Sequence, residues 1–135
     1  MDDKTIQVAF PGGLRVEARY KGFVMATDQP ARDGGEGSAP SPFDLFLGSL
    51  AACAGYFVVA FCRERKISTE GLSLAMRMER NPETRMISKV AIDISLPPGF
   101  PEKYRAAVIK AADQCTVKRH IAQPPAFEIN AEIRV

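Results

Sequence analysis

A run of 18 residues without a charged side chain, from Leu45 to Cys62, constrains the fold of this chain more than any other feature. A run of this length approaches the ~20 apolar residues that a membrane-spanning helix needs. Gly48, Ser49 and Gly55 lower its hydrophobicity, however, and strand-like alternation lies on both sides of it. Because a single span would leave those strands without a core to cover, the run predicts a buried central helix and no membrane partner.

Capping residues mark both ends of this helix. Ser41 suits the N-cap, Pro42 suits the first helical position, and Asp44 completes a capping box while facing the positive end of the helix. Basic residues follow the apolar run and favour the negative end. The pattern therefore predicts a helix that ends near Lys66.

Alternation of apolar and polar residues predicts six β-strands around this helix. The strands centre on Ile6–Phe10, Leu14–Tyr20, Phe23–Thr27, Leu72–Met78, Met86–Leu96 and Phe127–Val135. Two shorter helices are predicted from Pro101 to Gln114 and from Cys115 to Ile121. The order βββ-α-ββ-αα-β separates strands from helices and predicts a single α+β domain over residues 1–135.

Composition and charge narrow the class of protein. The 135 residues, 46% hydrophobic and 25% charged, are typical of one globular domain. A net charge of +2, with dispersed basic residues, gives no support to a nucleic-acid partner. The charged N-terminus does not resemble a signal peptide, and three cysteines are an odd, low count for a secreted disulfide framework. We therefore expect a cytoplasmic protein.

The cysteines are candidates for redox chemistry. A thiol is a nucleophile only as thiolate, so its ordinary pKa of ~8.5 must be lowered by a cation, a hydrogen bond or a helix N-terminus. Cys53 lies in the middle of the predicted helix, too far from its N-terminal end, so Arg15 or Arg19 from another element is the expected activator. Core packing is the alternative for Cys53, for Cys115 and above all for Cys62, because free cysteine is among the most buried residue types.

Rotation by ~100° per residue along the helix defines the neighbours of Cys53. Phe46, Tyr56 and Phe57 fall within about 60° of it and form an aromatic stripe suited to an apolar substrate. Cys62 falls at about 180°, on the opposite side. Since no short-spaced cysteine pair exists, we predict no metal site from the three cysteines and the single histidine.

Two segments resemble a known family. The run Ser41 to Cys53, SPFDLFLGSLAAC, is similar to the first-cysteine helix of the OsmC/Ohr (osmotically inducible and organic hydroperoxide resistance) proteins. The run Cys115 to Arg119, CTVKR, follows an alanine-rich helix and is similar to the second-cysteine segment. Gly12 to Arg15 resembles the segment that carries the family's arginine, so the resemblance covers nearly the whole chain.

The resemblance implies an intertwined homodimer with two active sites at the subunit interface and no cofactor. It implies that Cys53 attacks a small apolar hydroperoxide and becomes a sulfenic acid, and that Cys115 condenses with it to a disulfide. A dithiol reductant, either lipoyl-type or a small thiol, would reverse that disulfide. Arg15 would stabilise the thiolate, with Arg19 and Arg32 as the other candidates. The expected substrate pocket consists of Phe43, Phe46, Tyr56 and Phe57.

Two positions depart from the family pattern. The peroxidase members place a glutamate directly after the proline at the helix start, where this chain has Phe43, and the second cysteine is usually followed by proline, where this chain has Thr116. Asp44 follows Phe43 but is turned away from Cys53. The departures indicate a divergent OsmC-like branch. They leave open an alternative function, a non-catalytic apolar-ligand-binding or redox-sensing protein on the same scaffold.

Overall fold

The computed structural model describes residues Asp3 to Arg134. The chain divides into two compact units, the first ending at Gly48 and the second beginning at Ser49. The first unit contains a three-stranded antiparallel sheet and the start of a long helix. The second contains the rest of that helix, a two-stranded sheet and two short helices, which confirms the predicted α+β class.

The sheet of the first unit is the predicted meander. Its strands β1 (Gln7–Gly12), β2 (Arg15–Tyr20) and β3 (Phe23–Thr27) lie in sequence order. Lys21 and Gly22 connect β2 to β3 with φ values of 52° and 82°. Two positive φ values in a two-residue connection are typical of the type I′ turn, whose twist matches that of the strands it joins.

The loop after β3 is organised by one buried carboxylate. Asp28 is 1% exposed and accepts hydrogen bonds from the Ser38 hydroxyl and from the N–H groups of Gln29, Glu36 and Ser38. These bonds, the Ser38 hydroxyl first, lower the pKa of Asp28 from 3.8 to about 2, although burial opposes them. Gly35 completes the loop, since a Cβ there would meet the Gln29 carbonyl oxygen at 2.0 Å.

The long helix, α1, spans Pro42–Glu64 and begins as predicted. The N–H of Asp44 donates to Ser41 Oγ at 3.1 Å, and the N–H of Ser41 donates to Asp44 Oδ2 at 3.2 Å, which confirms the capping box. Among the described residues α1 is the one helix long and apolar enough to cross a membrane, a test that the core helix of a globular protein also passes. Its buried residues are Leu50, Ala54, Val58, Phe61 and Cys62.

The second unit packs two strands and two helices around its part of α1. Strands β4 (Ser73–Arg80) and β5 (Ile87–Ser95) form an antiparallel hairpin. Helix α2 (Arg105–Ala112) follows a 3-10 turn, and α3 (Thr116–Ala122) begins four residues after α2 ends. All of these elements lie where the sequence pattern placed them, with boundaries shifted by a few residues.

The core of the second unit joins α1 to α2 and to the hairpin. Ala54, Val58 and Cys62 of α1 are fully buried together with Val108 of α2, and Ile94 of β5 packs against them. Because this packing holds α2 against α1, the chain that leaves α2 returns to the surface of α1 at once. The start of α3 therefore lies against the middle of α1.

The predicted last strand differs from the structure. Residues 127–134 carry no helix or strand and pair with no sheet in the described part of the chain, and Val135 lies outside it. The alternating apolar side chains that suggested a strand are nearly fully exposed, at 83% for Phe127, 94% for Ile129 and 95% for Ile133. Alternation marks a segment able to form a strand, but a strand also needs an edge with which to pair.

Candidate active site

Cys53 and Cys115 meet in the second unit, although 62 positions separate them in the sequence. Cys53 lies half-buried near the middle of α1, and Cys115 is 3% exposed at the N-cap of α3. The two thiols interact, since each contributes to the pKa shift of the other. Cys115 Sγ also lies 4.0 Å from the carbonyl oxygen of Leu50, one turn before Cys53 on α1. The structure thus brings together the two cysteines selected from the sequence.

The start of α3 surrounds both sulfurs with hydrogen-bond donors. The first N–H groups of a helix have no partner inside the helix and need an external acceptor. Here the N–H of Lys118 donates to Cys115 Sγ at 3.4 Å, so Cys115 caps its own helix. The N–H groups of Val117 and Thr116, together with the Thr116 hydroxyl, lower the pKa of Cys53, so the start of α3 acts on this sulfur as well. The N-terminal turn of α3 therefore lowers the pKa of Cys53, an effect that the distant N-terminus of α1 cannot have.

These surroundings shift the two thiols in opposite directions. Burial raises the pKa of Cys53, but the N–H of Val117, the Cys115 thiol and the donors of Thr116 outweigh it, so the net pKa is lowered. Burial also raises the pKa of Cys115, and the adjacent Cys53 sulfur raises it further, so the N–H of Lys118 does not restore the ordinary value. Of the two thiols, Cys53 therefore ionises at the lower pH.

The third cysteine is separate from this pair. Cys62 is 0% exposed in the core between α1 and α2, on the opposite side of the helix as the angular arithmetic predicted. Burial raises the pKa of its thiol, and the positive charge of Arg65 only partly opposes that effect. Within residues 3–134 no group of three or more histidine, cysteine, aspartate or glutamate side chains is arranged to hold a metal ion.

The candidate arginines all lie in the first unit. Arg15 Nε donates to the carbonyl oxygen of Gly12 at 3.3 Å, Arg19 pairs with Glu17 at 3.1 Å, and Arg32 lies 3.8 Å from the carboxylate of the adjacent aspartate. Each therefore has a local partner. The role of Arg15 at the thiolate stays a prediction.

A cleft of about 1030 Å³ opens beside Cys115 in the second unit. Leu50 and Lys118 line it near the sulfur, and most of its wall is apolar, although charged side chains also line it: Asp93, Glu102, Arg105, Lys110 and Asp113. Its apolar lining includes Val90, Ile92 and Ile94 of β5, Leu96 just after β5, and Val108 and Ile109 of α2. Cys53 lies outside the set of described residues that line the cleft, so the cleft approaches the cysteine pair from the side of Cys115.

Within the described chain, none of the four aromatic residues predicted to form the substrate pocket lines this cleft. They form two ring pairs on α1. Phe43 stacks on Phe46 with ring centroids 5.6 Å apart, and Tyr56 meets Phe57 edge to face at 5.1 Å. Their role in binding an apolar substrate stays a prediction, and the apolar side chains of the cleft were not anticipated.

The donors of Thr116 and Val117 are the functional groups that the sequence reasoning missed. From the sequence, the N-terminus of the helix that carries Cys53 is too distant, and an arginine is the expected activator. The available signal was the position of Cys115 directly before a short helix, because the residues that follow an N-cap always present free N–H groups. A sulfur close to Cys115 is therefore close to those groups as well.

Comparison with known proteins gives a consistent family. Residues 35–130 match the family model described as OsmC-like protein. A comparison with curated proteins gives no match. Among solved structures, a candidate osmotic stress induced and detoxification response protein from Psychrobacter arcticus is similar, at 26% identity over 88% of both chains with a TM-score of 0.72.

Two further structures share the fold at lower identity. The OsmC-like protein of Mycoplasma pneumoniae is 14% identical over 91% of both chains, with a TM-score of 0.63. An organic hydroperoxide resistance protein OsmC from Legionella pneumophila is 23% identical over 90% of this chain and 91% of its own, with a TM-score of 0.52. The likeness extends over nearly the full length of each chain.

Proposed function

Since this chain belongs to the OsmC family, which is associated with hydroperoxide resistance and redox chemistry, we propose that it is a thiol-dependent reductase of organic hydroperoxides. The observation that supports this most is the contact between Cys53 and Cys115, whose pKa values are shifted in opposite directions, lowered for Cys53 and raised for Cys115. A lowered pKa favours the attacking Cys53 thiolate. Cys115 attacks in the second step only as a thiolate, and the conversion of Cys53 to a neutral sulfenic acid removes the negative charge that helps to raise the pKa of Cys115.

The proposed reaction has two chemical steps. The Cys53 thiolate attacks the terminal oxygen of the hydroperoxide, so the O–O bond breaks, an S–O bond forms, and the alcohol leaves after taking up a proton. Cys115 then attacks the sulfur of the resulting sulfenic acid, and the two residues form a disulfide with release of water. The hydroperoxide is reduced by two electrons, and the thiol pair is oxidised by two.

A dithiol must then reduce the disulfide to complete the cycle. Exchange begins when an external thiolate attacks one of the two sulfurs, and it is fastest at an accessible sulfur. The cleft beside Cys115 supports entry of the reductant from that side, and its apolar walls suit a lipoyl-type chain or a small thiol. We propose the reducing cytoplasm as the location, because three cysteines are an odd, low count for a secreted disulfide framework.

Two exposed apolar surfaces support the proposed homodimer. The C-terminal segment exposes Phe127, Ile129 and Ile133 in strand-like alternation, and in the second unit α1 exposes Tyr56 by 64% and Val59 by 46%. A second copy of the chain would cover both surfaces. In a dimer with two-fold symmetry, the C-terminal segment of each copy contacts the other copy in the same way. Light scattering of the full chain should give twice the monomer mass, and deletion of residues 126–135 should abolish that dimer.

The central test is one equivalent of an organic hydroperoxide followed by mass spectrometry. We expect a Cys53–Cys115 disulfide in the native protein, a trapped sulfenic acid at Cys53 in Cys115→Ser, and no oxidation of Cys115 in Cys53→Ser. Cys62→Ala is the matched control and should behave like the native protein. Recovery of Cys53 and Cys115 as free thiols after treatment would contradict the proposal.

A second candidate function is favoured by the cleft. Its volume of about 1030 Å³ and its mostly apolar walls are suited to binding an apolar ligand without turnover. Titration with an environment-sensitive apolar fluorophore, together with Ile109→Glu as a cleft variant, tests this possibility. Saturable binding that the variant removes, in a protein whose peroxide rate does not exceed that of free cysteine, would replace the reductase by a ligand-binding protein.

A further inference from the structure

Cys115 holds the first turn of α3 together through two of its atoms. Its Sγ accepts the N–H of Lys118 at 3.4 Å, and its carbonyl oxygen accepts the N–H of Arg119 at 3.1 Å. The same Sγ lies 4.0 Å from the carbonyl oxygen of Leu50 on α1. Because backbone carbonyls of an α-helix point toward the next turn, the sulfur of Cys115 lies over the turn that carries Cys53.

Helix α3 has few restraints besides this cap. It has seven residues, fewer than the ~12–15 that an isolated helix needs in water, and none of them is buried. Lys118 pairs with Asp113, but both side chains are largely exposed, so the pair contributes little. Helix α1, in contrast, has 23 residues, and Ala54 and Val58 hold the turns after Cys53 in the core. When the two sulfurs approach each other, α3 is therefore the element that yields.

We infer that α3 is a redox-sensitive gate: the Cys53–Cys115 disulfide removes the sulfur cap of α3, and the loosened helix opens the cleft beside Cys115. This gate rests on the proposed function, which supplies the disulfide and the dithiol that must reach it. It adds to that function a reason why the site admits the dithiol after oxidation and not before.

The disulfide changes both the position and the charge of the capping atom. Cys53 and Cys115 are free thiols in this structure, whereas a disulfide holds its two sulfurs ~2.0 Å apart. Bond formation therefore draws the sulfur of Cys115 toward α1 and out of the position from which it caps α3. A disulfide sulfur also carries no negative charge, so it cannot accept the charge-assisted hydrogen bond that a thiolate accepts.

The cap and the cleft are parts of one surface. Cys115, Lys118 and Ile121 all line the cleft, and the last two belong to α3. Cys115 is 3% exposed in the reduced protein, yet exchange with a dithiol requires attack on an accessible sulfur. Loosening of α3 moves this side of the cleft and exposes the disulfide. Reduction then restores the thiol, the cap and the closed helix.

Hydrogen–deuterium exchange of the α3 peptide, read by mass spectrometry, measures the loosening. Diamide makes the disulfide in place of a peroxide, because it accepts the two electrons and two protons that the thiol pair gives up. Peptide mapping before exchange confirms that the bond joins Cys53 to Cys115. The α2 peptide is the internal reference, since its Val108 is fully buried in the core.

We expect α3 to exchange about fivefold faster in the disulfide protein than in the reduced one, because loss of an N-cap destabilises a helix by about that factor. Exchange in α2 should stay the same. Cys115→Ala lacks the cap in any redox state and should exchange fast without oxidation, whereas Cys115→Ser has a hydroxyl cap and should exchange slowly. Cys53→Ser retains the cap and cannot form the disulfide, so diamide should leave its α3 unchanged.

A matched pair of variants at His120 tests whether loosening controls access. His120 is exposed on α3 and does not line the cleft. Glycine in a helix is less stable than alanine by about fivefold in the folding equilibrium, so His120→Gly and His120→Ala differ in the stability of α3 alone. Dithiothreitol should reduce the disulfide of the glycine protein faster, by up to about fivefold, than that of the alanine protein.

Equal α3 exchange in the reduced and disulfide proteins would overturn the gate, and so would equal reduction rates for the two His120 variants. Failure of diamide to join the two cysteines would overturn it as well. The oxidised native chain gives the answer on its own should Cys115→Ala fail to fold, as judged by circular dichroism. Because diamide replaces the peroxide, a loosened α3 without peroxide turnover would refute the reductase only, and turnover with an unchanged α3 would refute the gate only.

Discussion

Cys53 and Cys62 lie nine residues apart on α1, and the structure treats their thiols in opposite ways. Burial raises the pKa of Cys62, and the nearby positive charge of Arg65 does not reverse the effect. Burial raises the pKa of Cys53 as well, but hydrogen bonds from the start of α3 lower it overall. The two residues share a helix, so the helix that carries a cysteine does not determine the reactivity of its thiol.

The comparison shows what converts a buried cysteine into a nucleophile. A single cation at Cys62 loses to desolvation, whereas several short-range donors at Cys53 prevail over it. Backbone N–H groups are effective because they are fixed in place and carry no desolvation cost of their own charge. The first two predictions below compare Cys53 with Cys62 directly, and the last two test whether hydrogen-bond donors lower a pKa at Cys53 and at Asp28.

The largest expected effect is a difference in alkylation rate within one protein. At neutral pH, iodoacetamide should modify Cys53 at least ~100-fold faster than Cys62, because the latter requires opening of the core before any reagent can enter. Peptide mass spectrometry over a time course measures both rates in one sample. Equal rates in the folded protein would remove the basis of the comparison.

The second prediction concerns stability. Cys62→Ser places a hydroxyl among apolar side chains, where it has no hydrogen-bond partner. The substitution should therefore lower the free energy of unfolding by ~1–3 kcal/mol. Cys53→Ser, at a half-buried site with donors nearby, should cost less, and urea denaturation measures both. A larger loss at Cys53 than at Cys62 would mean that the donors stabilise the fold and not the thiolate.

The third prediction concerns the sulfur of Cys115. Its thiol lowers the pKa of Cys53, so Cys115→Ala should raise that pKa and slow the alkylation of Cys53 by about threefold at pH values below the midpoint. The rate should rise with pH through the titration of Cys53 and then level off in both proteins. Cys115→Ser is the control, since its hydroxyl can still donate, and alkylation in the alanine protein as fast as in the native one would contradict the prediction.

The smallest expected effect uses Asp28, where backbone and hydroxyl donors hold a carboxylate instead of a thiolate. Its pKa is lowered from 3.8 to about 2, so the unfolded chain binds more protons between these pH values. The stabilisation is complete above pH ~4 and is lost as the pH falls through about 2. Asp28→Asn should flatten the fall in melting temperature over this window, whereas the exposed Asp33→Asn should not.

Much of the fold could be predicted because its signals are local. The capping box at Ser41 and Asp44, the turn at Lys21–Gly22 and the alternation in β5 each depend on neighbouring residues, and the structure confirms all three. The last strand could not be predicted in the same way. Alternation from Phe127 onward indicates a segment able to form a strand, but the sequence of the segment does not specify the sheet edge with which it would pair.

The residues of the site could be predicted from the sequence, but the cause of the lowered pKa of Cys53 could not. Angular arithmetic placed Cys62 opposite Cys53, and the paired sequence contexts selected Cys115, which the structure brings to Cys53. The source of the lowered pKa depends on how α2 returns the chain to α1, a tertiary relation set by buried packing of Val108. The residues next to Cys53 in the sequence do not specify this packing.

Cys115 serves as the cap of α3, and this gives the protein a built-in spectroscopic probe. The amide proton of Lys118 points at the sulfur of Cys115, so its chemical shift responds directly to whatever is bonded to that atom. One resonance in a nitrogen–proton correlation spectrum can thus follow the cycle in solution, without a dye, a tag or a change to the chain.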